Sequence, residues 1–217
     1  MNCELVVIGA SWGGLRAVKE VLDGLGDASP APIVVAQHRG PGGGERLAEL
    51  LQRSTELTVR EAEDKDRLAP GSVYLAPPDY HTLVEADGTL ALSTEGHVRY
   101  ARPSIDVLFR SAAEAYRERC VGVVLTGAND DGADGLARIK ELGGVAVVQD
   151  PRTAERREMP AAAIEATHAD IVLPLEEIGQ FLRGLLLEPQ TTSPRYKEPE
   201  VGLEPTAHAL QMRCSAN

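Results

Sequence analysis

Residues 5–14, LVVIGASWGG, decide how this chain is expected to fold. The stretch begins with a short apolar run at 5–8, passes through a glycine-rich turn and enters residues 15–25, which place Leu15, Val18, Leu22 and Leu25 on one stripe. A short apolar run that ends at glycine is typical of a strand buried on both faces, and the spacing that follows is helical. The stretch therefore predicts a strand, a tight turn and a helix.

The same alternation continues along the chain. Further short runs rich in Val, Ile and Leu occur at 33–36, 73–76, 121–125, 145–148 and 171–173. Helical periodicity is present at 45–53, 104–118, 133–142, 160–167 and 175–187. Strands that alternate with helices predict an α/β fold, a doubly wound, mostly parallel sheet with helices on both faces.

Two segments depart from this alternation. Residues 82–93 read as two short strands around Asp87-Gly88, a pair typical of hairpin turns, so we expect an antiparallel hairpin at one edge of the sheet. From Glu188 onward the sequence is rich in proline and follows neither period. We therefore expect one domain over residues 1–187 and a Pro-rich, disordered C-terminal tail over 188–217.

Composition excludes several classes of function. The 22 Lys+Arg against 33 Asp+Glu give a net charge of -11, which disfavours binding to nucleic acid and to anionic lipid. No apolar run approaches the roughly 20 residues that span a bilayer, so we expect no membrane insertion. The three cysteines are odd in number, far apart and without a C-x-x-C pair, and no signal peptide precedes the first strand. These features predict a reduced, cytoplasmic protein.

Polar residues that could carry chemistry follow three of the predicted strands. Ser11 follows the first strand, His38 the second, and Asp130 and Asp131 the strand at 121–125. The carboxyl ends of parallel strands share one edge of the sheet, where ligands bind. Serine, histidine and an acid are a nucleophile, its general base and the group that orients the base. This placement predicts a serine hydrolase and leaves open which aspartate takes part.

The same residues permit other interpretations. Ser11 within G-x-S-x-G could simply cap the helix. A dinucleotide site fits poorly, because Ser11 replaces the second glycine of G-x-G-x-x-G and Gln37 precedes His38 where an acid should bind ribose. An α/β-hydrolase fits poorly as well, because its acid precedes its histidine. His81 also follows a predicted strand and could reach the same edge.

Several segments, taken in order, resemble the catalytic domain of the CheB family of chemotaxis protein-glutamate methylesterases. The likeness runs from about Glu4 to Leu187. It rests on these segments: Val7-Ile8-Gly9-Ala10-Ser11 with Gly13-Gly14, Val35-Ala36-Gln37-His38, Val73 to His81, Arg102 to Phe109, Leu125-Thr126-Gly127 through Asp131-Gly132, and Met159-Pro160. The resemblance implies a serine hydrolase that removes methyl groups from glutamate methyl esters of chemoreceptors and, in many members, deamidates receptor glutamines.

The resemblance also assigns roles to residues. It implies Ser11 as nucleophile, His38 as base and Asp131, rather than Asp130, as acid, with the main-chain N–H of Ala128 as an oxyanion donor. Trp12 stands where the family often has a small or hydroxyl residue. Its indole would narrow the substrate mouth or pack at the helix start, and its N–H is a second candidate oxyanion donor. No cofactor and no metal are implied, and the expected partner is the methylated cytoplasmic region of chemoreceptors.

Two points remain open at this stage. The enzyme is the main hypothesis, and a catalytically impaired receptor-docking module whose pocket is blocked by Trp12 is the alternative. In the family, control commonly comes from an N-terminal phosphoacceptor domain. Ser11 stands ten residues from Met1, so we expect a catalytic domain without that receiver domain. Its activity is then constitutive or set by a regulatory partner protein near Trp12.

Overall fold

A computed structural model of the chain describes residues 3–27, 29–39 and 45–187. The expectation of a disordered tail at 188–217 lies outside these residues. Within the described ranges the strands are β1 (Leu5–Ala10), β2 (Ile33–Gln37), β3 (Thr58–Glu61), β4 (Ser72–Leu75), β5 (His81–Val84), β6 (Leu90–Ser93), β7 (Cys120–Val124), β8 (Val145–Gln149) and β9 (Ile171–Leu173). The α-helices are α1 (Gly14–Leu25), α2 (Glu45–Gln52), α3 (Ile105–Tyr116), α4 (Ala133–Glu141), α5 (Glu158–Thr167) and α6 (Leu175–Leu187).

Seven strands form one sheet in the order β3-β4-β2-β1-β7-β8-β9, and every neighbouring pair is parallel. The chain moves outward from β1 to β2 and beyond, then returns to place β7 on the other side of β1, where Leu5 pairs with Cys120. The strand order therefore reverses at β1. In doubly wound sheets the crevice beyond the carboxyl ends at this point is the usual ligand site.

Helices cover both faces of this sheet. Alternate residues of β1 face opposite sides, so that Val6 and Ile8 pack in one apolar cluster with α1, α2 and α6, while Leu5 and Val7 pack in a second cluster with α3, α4 and α5. All six residues of β1 are buried, which explains why the strand is apolar throughout instead of alternating. The doubly wound α/β fold predicted from the sequence is confirmed.

The predicted hairpin at 82–93 is confirmed as β5 and β6, which pair antiparallel in a separate two-stranded sheet. The N–H of Val84 donates to Oγ of Ser111, which joins the hairpin to α3. Strand β3 was not predicted from the sequence, because its Thr58–Glu61 segment reads TVRE and has a single buried side chain, Val59. No described helix combines the length and apolar character required to traverse a lipid bilayer.

Candidate active site

Ser11 lies in the turn between β1 and α1, directly beyond the carboxyl end of the central strand. Its N–H donates to the carbonyl of Thr126 at 2.9 Å, and its carbonyl accepts from the N–H of Gly14 at 2.9 Å and from Nε2 of Gln37 at 2.7 Å. Gly13 has a φ of 77°, in the left-handed region that favours glycine. The backbone of the turn is therefore held from both neighbouring strands, which fixes the Ser11 hydroxyl.

His38 lies beside Ser11 because β2 is the neighbour of β1. Its N–H donates to the carbonyl of Ala10 at 3.0 Å, which continues the parallel pairing by one residue. Its ring bridges two side chains: Nδ1 lies 3.2 Å from Oγ of Ser11, and Nε2 lies 2.7 Å from Oδ2 of Asp131. The structure thus brings Ser11, His38 and Asp131 into one hydrogen-bonded chain across three strand ends.

Asp131 is fully buried where the loop after β7 meets the start of α3. Besides His38, its carboxylate accepts from Oγ of Ser104 at 2.9 Å and from the N–H groups of Ile105 at 2.8 Å and Asp106 at 3.0 Å. Burial alone would raise the pKa of Asp131, but the bonds from His38 and from these main-chain donors outweigh it and hold the pKa below its usual range. Asp131 is therefore an ionised, acceptor-only group.

The ionised state of Asp131 fixes the tautomer of His38. Because a carboxylate can only accept, Nε2 of His38 must carry the hydrogen that it donates to Asp131. In the neutral imidazole Nδ1 is then the acceptor, and the Ser11 hydroxyl donates to it. A serine hydroxyl that points its hydrogen at an unprotonated imidazole nitrogen is in position to lose that proton.

The loop after β7 forms the other wall of the site. Oγ1 of Thr126 donates to the carbonyl of Trp12 at 2.9 Å and accepts from the N–H of Arg156 at 2.8 Å. A Cβ placed on Gly127 would lie 2.9 Å from Cβ of Ser11 and 2.5 Å from Sδ of Met159, so only glycine fits there. Ala128 follows at the exposed end of the loop.

Trp12 is 58% exposed, and its indole contacts two residues of the loop between β8 and α5. Its Nε1 donates to Oε1 of Glu155 at 2.8 Å, and the guanidinium of Arg156 lies over its ring at 5.4 Å from the centroid. The side chain therefore reaches across to this loop and does not simply pack at the start of α1. Its indole N–H is occupied by Glu155, which leaves the main-chain N–H as the donor free to serve the site.

A cleft of about 560 Å³ opens beside His38. Its described lining includes Arg39, Asp79, His97, Arg99, Tyr100, Ala101, Arg102, Pro103 and Asn129. Trp12 is absent from the described lining, so the indole does not fill this space. Arg39 pairs with Glu61 at 2.6 Å, and Nη1 of Arg102 donates to the carbonyls of Thr94 at 2.9 Å and Glu95 at 3.1 Å, so hydrogen bonds hold both guanidinium groups.

A family model of the CheB methylesterase domain matches residues 6–182, which include all of these residues. The chain belongs to the CheB methylesterase family. A Leptospira interrogans protein named as a candidate protein-glutamate methylesterase/protein-glutamine glutaminase is 49% identical over 184 residues, which cover 84% of this chain and 95% of that protein. A Caulobacter vibrioides protein-glutamate methylesterase/protein-glutamine glutaminase 2 is 42% identical over 82% of this chain, but over only 53% of its own length.

A solved CheB domain has the same fold. The crystal structure of the Thermotoga maritima CheB methylesterase catalytic domain matches with a TM-score of 0.81 and 38% identity, covering 85% of this chain and 100% of that chain. The family identification made from sequence segments is confirmed by these matches. The match spans the whole of that solved catalytic domain.

Some residues that shape the CheB site escaped the sequence analysis as individual contributors. Ser104 and Asp106 were noted only within a matching segment, yet both bind the Asp131 carboxylate. His81, which on sequence grounds could reach the same crevice, is 2% exposed; its Nδ1 accepts from the N–H of Ser104 and its Nε2 donates to the carbonyl of Gly96. It therefore supports the start of α3 and does not line the described cleft. Ser104 could have been singled out from the sequence, because serine is a preferred N-cap and Ser104 directly precedes the first residue of α3.

Proposed function

We propose that this chain is a protein-glutamate methylesterase that hydrolyses methyl esters of glutamate side chains in the cytoplasmic region of chemoreceptors. Ser11 is the nucleophile, His38 the general base and Asp131 the acid that orients His38. The observation that carries the proposal is the unbroken chain of hydrogen bonds from Ser11 Oγ through His38 to the buried Asp131 carboxylate. Family membership and the names of the relatives supply the substrate class.

Acylation follows from the tautomer assigned above. The Ser11 hydroxyl gives its proton to Nδ1 of His38 while Oγ bonds to the ester carbonyl carbon, which produces a tetrahedral intermediate and an imidazolium. Asp131 stabilises the imidazolium through Nε2 and keeps the ring in place. The carbon–oxygen bond to the methoxy group then breaks, and that oxygen takes the proton from Nδ1 to leave as methanol.

Deacylation repeats the steps with water. His38 accepts a proton from a water molecule, whose oxygen attacks the acyl carbon of the Ser11 ester. The bond to Oγ breaks, Oγ recovers its proton from His38, and a glutamate carboxylate leaves with one proton released to solvent. The cleft beside His38 supplies the space from which water and substrate approach.

The negative oxygen of the tetrahedral intermediate requires hydrogen-bond donors. We assign this role to the main-chain N–H groups of Ala128 and Trp12, which flank Ser11 on the β7 loop and on the nucleophile turn. In the described part of the chain, neither group donates to another protein atom, so both are available to a ligand. One such donor is typically worth about 3–4 kcal/mol of barrier.

Glutamine deamidation is the second reaction that this site could support. Several relatives, including those from Caulobacter vibrioides and Thermotoga maritima, are named protein-glutamine glutaminase as well as methylesterase. The same acyl-enzyme forms from an amide, with ammonia leaving instead of methanol.

We further place the reaction in the cytoplasm, since the described cysteines, Cys3 and Cys120, are free thiols. The docking-module alternative gains no support from the site, because the indole of Trp12 is held by Glu155 beside the Ser11 turn and does not fill the cleft next to His38.

The test is methanol release from a methylated chemoreceptor fragment by the purified chain, with ammonia release from the glutamine form measured in parallel. Ser11→Ala and His38→Ala should each abolish methanol release, because they remove the attacking atom and its base. Circular dichroism and the melting temperature should match the wild type. Methanol release that persists in a clean Ser11→Ala preparation would disprove the mechanism.

A further inference from the structure

Two buried carboxylates at the site, Asp131 and Asp106, each accept hydrogen bonds from the start of a helix. Asp131 binds the start of α3, which contains Asp106, and Asp106 binds the start of α4, which follows Asp131. Asp131, which precedes α4, accepts the N–H groups of Ile105 and Asp106 in the first turn of α3. Asp106, in α3, accepts with Oδ1 the N–H of Gly132 at 3.0 Å and of Gly135 at 2.7 Å at the start of α4. The two helix N-termini are therefore joined by a reciprocal pair of acidic caps.

Asp106 supplies what α4 lacks by itself. The N-cap of α4 is Gly132, which has a φ of 98° and no side chain to accept the free N–H groups of the first turn. Oδ1 of Asp106, which lies outside α4, accepts N–H groups at the start of this helix instead. Gly132 directly follows Asp131, so the bond from its N–H to Asp106 sets the position of the residue adjoining the acid of the site.

Arg99 holds the second oxygen of Asp106. Its Nε donates to Oδ2 of Asp106 at 2.9 Å, while its other nitrogens contact Asp130 and Asp134. Burial raises the pKa of Asp106 and the neighbouring Asp131 raises it further, whereas the N–H of Gly135 and the Arg99 charge lower it. Arg99 also lines the cleft, so it connects the surface where substrate approaches with the buried pair of caps.

We propose that Asp106, held by Arg99, is a positioning residue that acts through Asp131 to aim the carboxylate at Nε2 of His38. This inference rests on the proposed roles of Ser11, His38 and Asp131. Both oxygens of Asp106 face donors, Oδ1 the two glycine N–H groups and Oδ2 the Arg99 guanidinium. An asparagine at 106 must turn its NH₂ toward one of these donors, so either orientation displaces the start of α4 or releases Arg99.

The experiment compares Asp106→Asn and Arg99→Gln with Asp134→Asn in the full chain. Asp134 also contacts Arg99, but its side chain is 48% exposed and it does not contact Asp106, so it serves as the matched control. The readouts are kcat and KM for methanol release, the melting temperature, and the proton NMR resonance of the His38 Nε2–H, assigned in nitrogen-15 histidine-labelled protein by its loss in His38→Ala.

Asp106→Asn should lower kcat by about 10- to 100-fold with KM within about twofold, since a small misplacement of a catalytic group has effects of this size. The His38 resonance should shift or broaden in the same variant. Arg99→Gln should change both readouts in the same direction, and Asp134→Asn should change neither. If Asp106→Asn does not fold, the kcat and the His38 resonance of Arg99→Gln test the proposal in its place.

An unchanged kcat in the folded variants would overturn the proposal. A lowered kcat with an unchanged His38 resonance would overturn it too, because the effect would not pass through Asp131. If the wild type releases no methanol but the resonance responds to Asp106→Asn, the positioning role stands and the proposed substrate is wrong.

Discussion

The indole N–H of Trp12 donates a hydrogen bond to Oε1 of Glu155 at 2.8 Å, so the residue after Ser11 is fixed by a loop 143 positions away in sequence. The guanidinium of Arg156 lies over the face of the indole, 5.4 Å from the ring centroid. The ring is therefore oriented before substrate arrives. Ordering a free side chain on binding costs about 0.5–1.5 kcal/mol, a cost that this contact removes in advance.

Removing the partner of Trp12 should weaken substrate binding without changing the chemistry. We expect Glu155→Ala to raise KM by roughly two- to tenfold and to leave kcat within about twofold, because the indole must then be ordered by the substrate. Glu155→Gln, which keeps an acceptor oxygen, should resemble the wild type. Trp12 is the single tryptophan, so a fall in fluorescence anisotropy in the alanine variant reports its release. A lowered kcat with unchanged KM would contradict this interpretation.

The two adjacent aspartates after β7 should differ sharply. Asp131→Asn should lower kcat by about 10⁴, the loss seen when an amide leaves the imidazole of a serine-protease triad in the wrong tautomer. Asp130→Asn should stay within about threefold, because its side chain is 59% exposed and pairs only with Arg99 among the described ion pairs. Steady-state methanol release measures both. Exchanged phenotypes would show that the acid has been assigned to the wrong residue.

Gly127 should be intolerant of even one added methyl group. The new Cβ would lie 2.5 Å from Sδ of Met159 and 2.9 Å from Cβ of Ser11, so the loop must move. We expect Gly127→Ala to cost about 1–3 kcal/mol of stability and to lower kcat.

Gly184→Ala is the matched control for Gly127→Ala. Among the described residues, no atom beyond its chain neighbours and the nearby helix backbone lies within 4 Å of a Cβ added at this position in α6. The substitution should preserve activity and raise the free energy of unfolding by up to about 1 kcal/mol. Urea unfolding and methanol release distinguish the two variants. Wild-type activity in Gly127→Ala would mean that the loop accommodates the added methyl group without displacing Ser11, which would contradict this prediction.

The thiol of Cys3 should react slowly even though it is partly exposed. Burial raises the pKa of Cys3 to about 11, with a further contribution from the charge of Glu4, and the thiolate is the reactive form. In a Cys214→Ser background at pH 8, we expect iodoacetamide to label Cys3 roughly 100-fold more slowly than a free cysteine. The rate should rise about tenfold per pH unit below pH 11. Rapid labelling at neutral pH would contradict the shifted pKa.

Residues 188–217 should be dispensable for activity. The family match ends at residue 182 and α6 ends at Leu187, so a chain cut after Leu187 keeps every described element. Its melting temperature and methanol release should equal those of the full chain. A chain cut after Pro174 should unfold or aggregate, because Ile178 and Leu182 of α6 are buried in the core cluster that contains α1. A large loss of stability after the first cut would show that the tail docks.

Much of the fold could be predicted because each central strand is a short apolar run and each helix has one apolar face. Ser11 and His38 could be found as the polar residues that directly follow β1 and β2. β3 could not, because an edge strand with one buried side chain carries little hydrophobic signal. The choice between Asp130 and Asp131 needed the family resemblance, since both occupy the same loop.

Other features of the site depend on contacts between distant segments and leave no local pattern. Three features arise only when α3, α4 and the loop before α5 pack together. They are the bond between Trp12 and Glu155, the reciprocal caps of Asp106 and Asp131, and the direction of the His38 ring. Sequence periodicity reports which side of an element is buried. It does not report which partner that side meets.

The position of β1 between β2 and β7 also determines when the protein can fold during its synthesis. A ribosome adds about 5–20 residues per second, so β1 and β2 leave it several seconds before β7, whose Cys120 pairs with Leu5. Until then one edge of a fully apolar strand has no neighbour, and pairings of such long sequence separation form slowly. Ser11 and His38, the proposed nucleophile and base, are therefore synthesised early and remain without Asp131, the proposed acid, until the second half of the chain arrives. With the proposed roles of these residues, the nascent chain gains esterase activity only after β7 and the loop that follows it have been synthesised and have folded against β1.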